Sequence, residues 1–436
     1  MMPKLMILLT TALSLFGLIS ISPDTSVALD NVVQNTPFFL PYEGSNQVSD
    51  IVVDGAGGVH VSYKSKYSVG GITPIYYAYC ATNCDVFANW TTVTVGDARL
   101  GVAAALAVTP AGQPRLVWYY QQTTLGDGDY IYAACDVNCL DAANWSQVTV
   151  ATTKSSSRRN LTLTPQGQPR FVYTDISSFP PHKGLFYAYC DVNCTVLANW
   201  SETQINAATE FYDIDLIADS AGKLHLLYNF DNSTAEYVQC AADCDNPANW
   251  IGEQLYAIGL EADLSLAITD NNQPRFAIYT GSLDHQTYYA WCDTDCATST
   301  TSWQNWGVGL ADYEGEELDL ALDGQNRPHL VYHSQNLSLG YAACTADCDS
   351  TQSVWQNEYV ETAAELNVLE PPPPGCSLST WDVGERPSIA LDNMGISFMS
   401  YDATQMLGGC TDIQRVRLTA VEVTVSFSVY LPTIVR

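Results

Sequence analysis

Cysteine carries the most explicit chemistry in this chain, because 14 are present and most fall in one repeated spacing. The pairs are Cys80 and Cys84, Cys135 and Cys139, Cys190 and Cys194, Cys240 and Cys244, Cys292 and Cys296, and Cys344 and Cys348, each C-x3-C. Paired thiols can hold a metal, exchange electrons or close a disulfide. A zinc site needs about four converging ligands, and no histidine keeps a fixed place beside the pairs. A redox pair is usually a single C-x-x-C on an α/β scaffold. Six copies of a wider spacing point to structural staples. Cys376 and Cys410 remain, and they form a seventh candidate bridge around the proline run 371–374.

The ionic residues form two sets. One recurs at the start of a β-prone segment as His60, Arg115, Arg170, His225, Arg275 and His329. The residue after each first cysteine is Ala81, Asp136, Asp191, Ala241, Asp293 and Thr345. Arginine goes with aspartate, and histidine with alanine or threonine, in every repeat. This covariation predicts Arg–Asp pairs within repeats rather than a ring of cations awaiting an anion. The second set is irregular: Arg158, Asp213, Asp263, Glu317 and Arg386, followed by Asp50, Asp215 and Asp319. Repeats that diverge at one end can assemble a single asymmetric pocket. Arg158, Asp213, Asp215, Asp263, Glu317, Asp319 and Arg386 are therefore the candidate ligand-binding residues, with no catalytic residue assigned. H-E-x-x-H, G-x-S-x-G and P-loop motifs are absent from the sequence. No cofactor is expected. Calcium is the one weak alternative, since Gly126–Asp129 reads GDGD without the full loop spacing of a calcium site.

These residues must be positioned by a repeating element. Seven segments alternate apolar residues, turn through Asp, Thr, Gly or Asn, and alternate again: DIVVDGAGGVHVSY from Asp50, ALAVTPAGQPRLVWY from Ala105, and onward to SIALDNMGISFMSY from Ser388. Each is a β-hairpin signal. Tyr77, Tyr132, Tyr187, Tyr237, Tyr289 and Tyr341 lie three residues before a first cysteine, in further β-prone runs. Residues four apart in a straight strand are separated by about 13 Å, too far for a disulfide, so each pair must bracket a tight turn. The tryptophan that follows begins a returning strand and is expected to pack between neighbouring repeats. Each unit is then a four-stranded meander, A to D, of about 50 to 55 residues, and seven such units predict a seven-bladed β-propeller. A parallel β-helix, with its shorter repeats, and a string of separate small domains fit less well. NTPFFLPY (Asn35–Tyr42) and VEVTVSFSVYL (Val421–Leu431) compete to supply the last D strand.

The repeat in ALDGQNRPHLVYH, from Ala321, and IALDNMGISFMSYD, from Ile389, resembles that of secreted bacterial β-propeller proteins across nearly the whole chain. The resemblance implies the fold and little chemistry. A weaker similarity is to the Asp-box of sialidases, but the D-x-x-G spacing and the misplaced aromatic do not carry sialidase activity over. The ending YLPTIVR resembles short Leu-Pro tails of secreted bacterial proteins without the remainder of a sorting signal.

Residues 1–28 read as a signal peptide: Lys4, an apolar run, then Ser26-Val27-Ala28 as a small-x-small site. Residues 29–420 are assigned to the propeller and 421–436 to a β-prone tail. Export suits the even cysteine count. With 47 acidic against 17 basic residues, the chain is a poor partner for nucleic acid or anionic lipid, and no segment beyond the leader suits a membrane span. The expected function is a secreted or cell-surface binding module, monomeric, for a glycan or an extracellular protein. The alternative is a carbohydrate-active enzyme, a glycoside hydrolase or polysaccharide lyase, working on the propeller axis.

Overall fold

The computed structural model describes residues 32–34, 36–40, 46–66, 72–99, 104–121, 127–153, 161–176, 183–208, 211–230, 234–257, 262–311 and 313–423. Among the described residues there are seven antiparallel sheets, six of four strands and one of five. Their innermost strands touch in a closed ring, the first blade against the seventh. The protein is a seven-bladed β-propeller. Blade one runs Asn46–Val53, Val59–Ser65, Pro74–Cys80 and Thr91–Asp97 as strands A to D. Its B strand is buried throughout, whereas its D strand alternates exposed and covered positions. A strand flanked by neighbouring blades on both faces is buried at every position, here including His60, Ser62, Lys64 and Ser65, and only the rim strand reaches solvent.

The A–B hairpins share one backbone solution. Gly57, Gly112, Gly167, Gly222 and Gly395 hold positive φ at one turn position, and Asn272 and Asn326 do so in blades five and six. This is the left-handed residue that a tight hairpin requires. The C–D turns are equally uniform: Asn83, Asn138, Asn193, Asp243, Asp295 and Asp347 take φ of 50–59° immediately before the second cysteine.

All six C-x3-C pairs are disulfides, Cys80–Cys84, Cys135–Cys139, Cys190–Cys194, Cys240–Cys244, Cys292–Cys296 and Cys344–Cys348, with Cα atoms 5.6–5.8 Å apart. Cys376–Cys410 is the seventh. Five of the tryptophans donate their indole N–H to the carbonyl of the second cysteine, as Trp145 does to Cys139 at 2.8 Å. Trp145, Trp200, Trp250, Trp303 and Trp355 each meet, edge-on, the tyrosine of the preceding blade, Tyr77, Tyr132, Tyr187, Tyr237 and Tyr289. The staple therefore fixes a turn that presents an inter-blade wedge. Replacing Cys80 and Cys84 together by alanine should lower stability by about 2 kcal/mol, the chain-entropy value for so short a loop. The urea midpoint of the double variant reads this directly.

The Arg–Asp pairs form as the covariation predicts: Arg115–Asp136 at 2.7 Å, Arg170–Asp191 at 2.6 Å and Arg275–Asp293 at 2.9 Å. Each guanidinium also donates to the first cysteine's carbonyl at 2.9 Å. In the other three repeats the histidine bridges inward and outward instead. His60 contacts Tyr77 Oη at 2.7 Å and Asp54 at 3.1 Å, and His225 repeats this with Tyr237 and Asp219. The Asp54 carboxylate can only accept, so Nε2 carries the proton and Nδ1 accepts from Tyr77. Burial lowers the pKa of His60 and His225 despite the partner carboxylates, so both rings are neutral at pH 7.

Blade seven closes the ring. Its own strands are Ser377–Leu391, Ile396–Gly408 and Ile413–Val423. Val32–Gln34 and Phe38–Phe39 pair antiparallel with the last of these. The N-terminal segment thus takes the outer place, while Val421–Val423 belongs to the C strand. Residues 1–31 and 424–436, with the candidate signal peptide and most of the tail, lie outside the described residues. One α-helix, Ala363–Leu369, leads into blade seven, with Thr362 and Glu365 capping its start reciprocally. Among the described residues no helix is long and apolar enough to cross a membrane.

Candidate functional site at the axial mouth

Two layers of A-strand residues face the propeller axis. The inner layer lies four positions before the first turn residue, at Asp50, Asp215, Ser265, Asp319 and Ser388 in blades one, four, five, six and seven. Ser388 Oγ reaches Asp50 at 3.3 Å and Asp319 at 3.1 Å. Ser265 Oγ reaches Asp319 at 2.8 Å and Asp215 at 3.5 Å. A Ser–Asp ladder therefore runs across five blades. Each of its carboxylates also accepts a backbone N–H from the following blade: Asp50 from Leu106 at 2.9 Å, Asp215 from Leu266 at 2.8 Å, Asp319 from Ile389 at 2.9 Å. These three aspartates stitch blades together. Burial first, then the nearby Asp319 and Asp50, push the Asp215 carboxyl up to about 7, against the pull of its N–H donors.

The outer layer lies at the end where D strands pass into A strands. Asp213 is 8% exposed, and its Oδ2 accepts the Leu264 N–H at 3.0 Å. Asp263 is buried at the start of its strand. Arg158 lies outside the described residues. Glu317 and Arg386 are brought together: the Arg386 backbone N–H donates to Glu317 Oε2 at 2.6 Å. Both residues have left-handed backbones, with φ of 49° and 48°. Each sits in an irregular stretch of register, Glu316/Asp319 in blade six and Glu385/Ser388 in blade seven. Bulges re-aim side chains at barrel rims, and strained non-glycine backbone concentrates at functional sites.

Around this pair is a network that the repeat pattern does not mark. Arg386 Nε donates to Asp402 at 2.9 Å, and Gln414 bridges Asp402 and Glu385 at 3.2 Å to each. His333 Nε2 meets Asp382 at 2.8 Å. Burial opposes a charge on His333, but Asp382, Glu317 and Glu385 together raise its pKa. Lys64 is buried, and that burial, reinforced by the charge of Arg386, lowers its pKa to about 8. Asp382, Glu385, Asp402 and Gln414 all belong to blade seven, whose strands are the longest. Lys64 and Gln414 carry no signal in a motif scan. The length of blade seven's segments is the available clue.

The opposite, A–B end is different. A cavity of about 410 Å³ opens there, lined by the aliphatic Ile217, Leu266, Ile268, Leu320 and Leu322 together with the polar Asp219, Ser220, Thr269, Asp270 and Asn272. Among the described residues no group of three or more His, Cys, Asp or Glu is arranged to hold a metal ion.

No family model and no curated protein matches the sequence. Solved structures with similar architecture include a protein of unknown function from Dyadobacter fermentans, with a TM-score of 0.49, 10% identity and coverage of 90% of this chain and 99% of that one. A point mutant of the NanB sialidase from Streptococcus pneumoniae has a TM-score of 0.45 and 10% identity over 89% of this chain and 70% of its own. A point mutant of the Aleuria aurantia lectin, in complex with a fucosylated disaccharide, has a TM-score of 0.46 and 12% identity over 77% of this chain and 100% of its own. At these scores and identities the likeness is too distant to bear on what this chain binds.

Proposed function

We propose that the protein is an exported, monomeric binding module that recognises an uncharged glycan at the D–A mouth of the propeller. Glu317 and Arg386 contact the ligand, Asp263 adds a further contact, and Asp213, Asp215 and Asp319 form its rigid floor. The carrying observation is that groups of both charge signs are held there in fixed hydrogen-bonded positions: Arg386 bonds Glu317 and Asp402, and His333 meets Asp382. Such a surface offers many oriented donors and acceptors, and a sugar's hydroxyls use both kinds of group. Its carboxylates outnumber its cations, so a polyanionic ligand is disfavoured.

The test is affinity electrophoresis and calorimetry of the full chain with neutral polysaccharides: a β-glucan, a mannan, a xylan and dextran. One should bind, and Glu317→Gln should weaken it about tenfold, the value of one hydrogen bond to a charged group. Thermal unfolding should stay unchanged, because glutamine still accepts the Arg386 N–H. Binding by none of the four probes would refute a neutral-glycan site. Release of reducing ends or of unsaturated sugars during incubation would move the assignment to the carbohydrate-active enzyme.

A further inference from the structure

An unusual surface lies beside the mouth, where blade five passes into blade six. Tyr313 is 40% exposed with φ of 66°, and its ring stacks on His285, itself at φ 55°, with centroids 3.9 Å apart. The Tyr313 N–H donates to the His285 carbonyl at 3.0 Å, and the His285 N–H to that of Gly281 at 2.9 Å. Both residues are thus held in the left-handed region, which histidine tolerates and a bulky ring such as Tyr313 disfavours. Gly315 follows at φ 111°, where any side chain would collide with Thr287. A second aromatic, Tyr359, is 44% exposed. Its hydroxyl donates to Glu314 at 2.9 Å and meets the Asn336 amide at 3.2 Å. Glu314 is itself buried and also accepts from Ser334 at 2.7 Å. Both rings are therefore pinned by partners beneath them while staying open to solvent. The surface is continuous with the mouth: Tyr279 Oη lies 3.2 Å from His285 Nδ1 and 3.5 Å from Glu316 Oε1, one residue before Glu317.

We infer that Tyr313 and Tyr359 form a second subsite, which takes further rings of the glycan held at the mouth, so that the ligand is a chain of neutral sugars and not a single residue. The inference rests on the reading of the mouth as a glycan site. Sugar rings present C–H faces that pack on aromatic rings, while their rim hydroxyls bond to amides and carboxylates. The fixed backbone at His285 and Tyr313 orders these rings before any ligand arrives, and pre-ordered aromatics lose little entropy on binding. The surrounding carboxylates Asp284, Glu314, Glu316 and Glu317 disfavour acidic polysaccharides.

The test uses the full chain with neutral oligosaccharides of one to six units, drawn from whichever of the four polymers binds best. Wild-type affinity should rise about tenfold or more from one unit to six, the range expected for two stacked aromatics. The double variant Tyr313→Ala, Tyr359→Ala should flatten that rise, while Tyr359→Phe, which keeps the ring, should preserve most of it. Glu317→Gln should weaken every length by a similar factor. A length dependence that survives the double variant overturns the second subsite and leaves the mouth intact. Loss of all binding in the tyrosine variant, with none in Glu317→Gln, would overturn the mouth and make the tyrosine surface the primary site. Binding of no length by the wild type overturns both. Thermal unfolding of each variant separates these outcomes from misfolding.

Discussion

Replacing Arg417 by methionine should destabilise the propeller by about 3–5 kcal/mol, the usual cost of leaving a buried charge without its partner. Arg417 stands on the C strand of blade seven and is 3% exposed, as is Glu361 on the D strand of blade six. The two form a bidentate pair, Nε to Oε2 at 2.7 Å and Nη2 to Oε1 at 2.6 Å. Tyr401 also donates to Glu361 at 2.7 Å. The same guanidinium donates to the Pro37 carbonyl at 2.9 Å and lies 4.2 Å from the centroid of the Phe39 ring. One side chain therefore joins the sixth blade, the seventh blade and the N-terminal segment that closes the circle. Closure here is noncovalent, since the seven disulfides all lie within single blades or their flanking connections.

The pH dependence of that variant has a definite sign. Burial raises the Glu361 pKa, and Arg417 acts against the rise. Without the arginine the folded-state pKa climbs further above the unfolded one. Stability is then retained at low pH and lost as pH rises through the folded value, so the cost of Arg417→Met should be smaller at pH 5 than at pH 8. The double variant Glu361→Leu, Arg417→Met removes both charges and should recover much of the loss. Chemical unfolding at the two pH values measures all three effects. Equal costs at pH 5 and pH 8 would mean that Glu361 finds another partner.

Why the fold is legible in the sequence and the site less so follows from the range of the interactions. Turn chemistry is local: the glycine or asparagine of each A–B turn and the Asn or Asp before each second cysteine announce a left-handed residue within a few positions. The Arg115–Asp136 type of pair spans about one hairpin and shows as covariation across repeats. An equal signal lies one turn earlier. Histidine occurs where the A–B turn begins with Asp54, Asp219 or Asp323, and arginine where it begins with Thr109, Thr164 or Thr269. The helix at Ala363–Leu369 also has its mark in Thr362-Ala-Ala-Glu365. The axial carboxylates are another matter. Asp50, Asp215 and Asp319 look like free ligands in the chain, because their partners are backbone N–H groups a whole blade away. Backbone donors have no residue type to recognise. The bulges that bring Glu317 beneath the Arg386 N–H likewise depend on register, which a period-two pattern does not specify at a strand's first residues.

The buried ladder itself supplies the other large expected effect: Asp215→Asn should stabilise the protein at pH 8 and do little near pH 4. The Asp215 carboxyl sits near pKa 7 in the folded chain against 3.8 for an ordinary aspartate. A raised carboxyl keeps its proton in the folded state while the unfolded chain has lost it. Its contribution to stability is thus fully present below about pH 4. It is lost as pH rises through about 7, and above that the loss is constant. The shift of about three units corresponds to roughly 4 kcal/mol at most. Asparagine removes the charge and keeps the shape. With its oxygen in the place of Oδ2, it accepts the Leu266 N–H as the aspartate does. The difference in unfolding free energy between variant and wild type, followed from pH 4 to pH 8, should therefore grow across the interval between the two pKa values and then level off. A difference that is flat across that range would show that the folded chain does not hold the Asp215 carboxyl above the ordinary carboxylate range. The same variant in the glycan assay joins the two arguments, because a gain in stability with a loss in affinity would tie the ladder to the ligand.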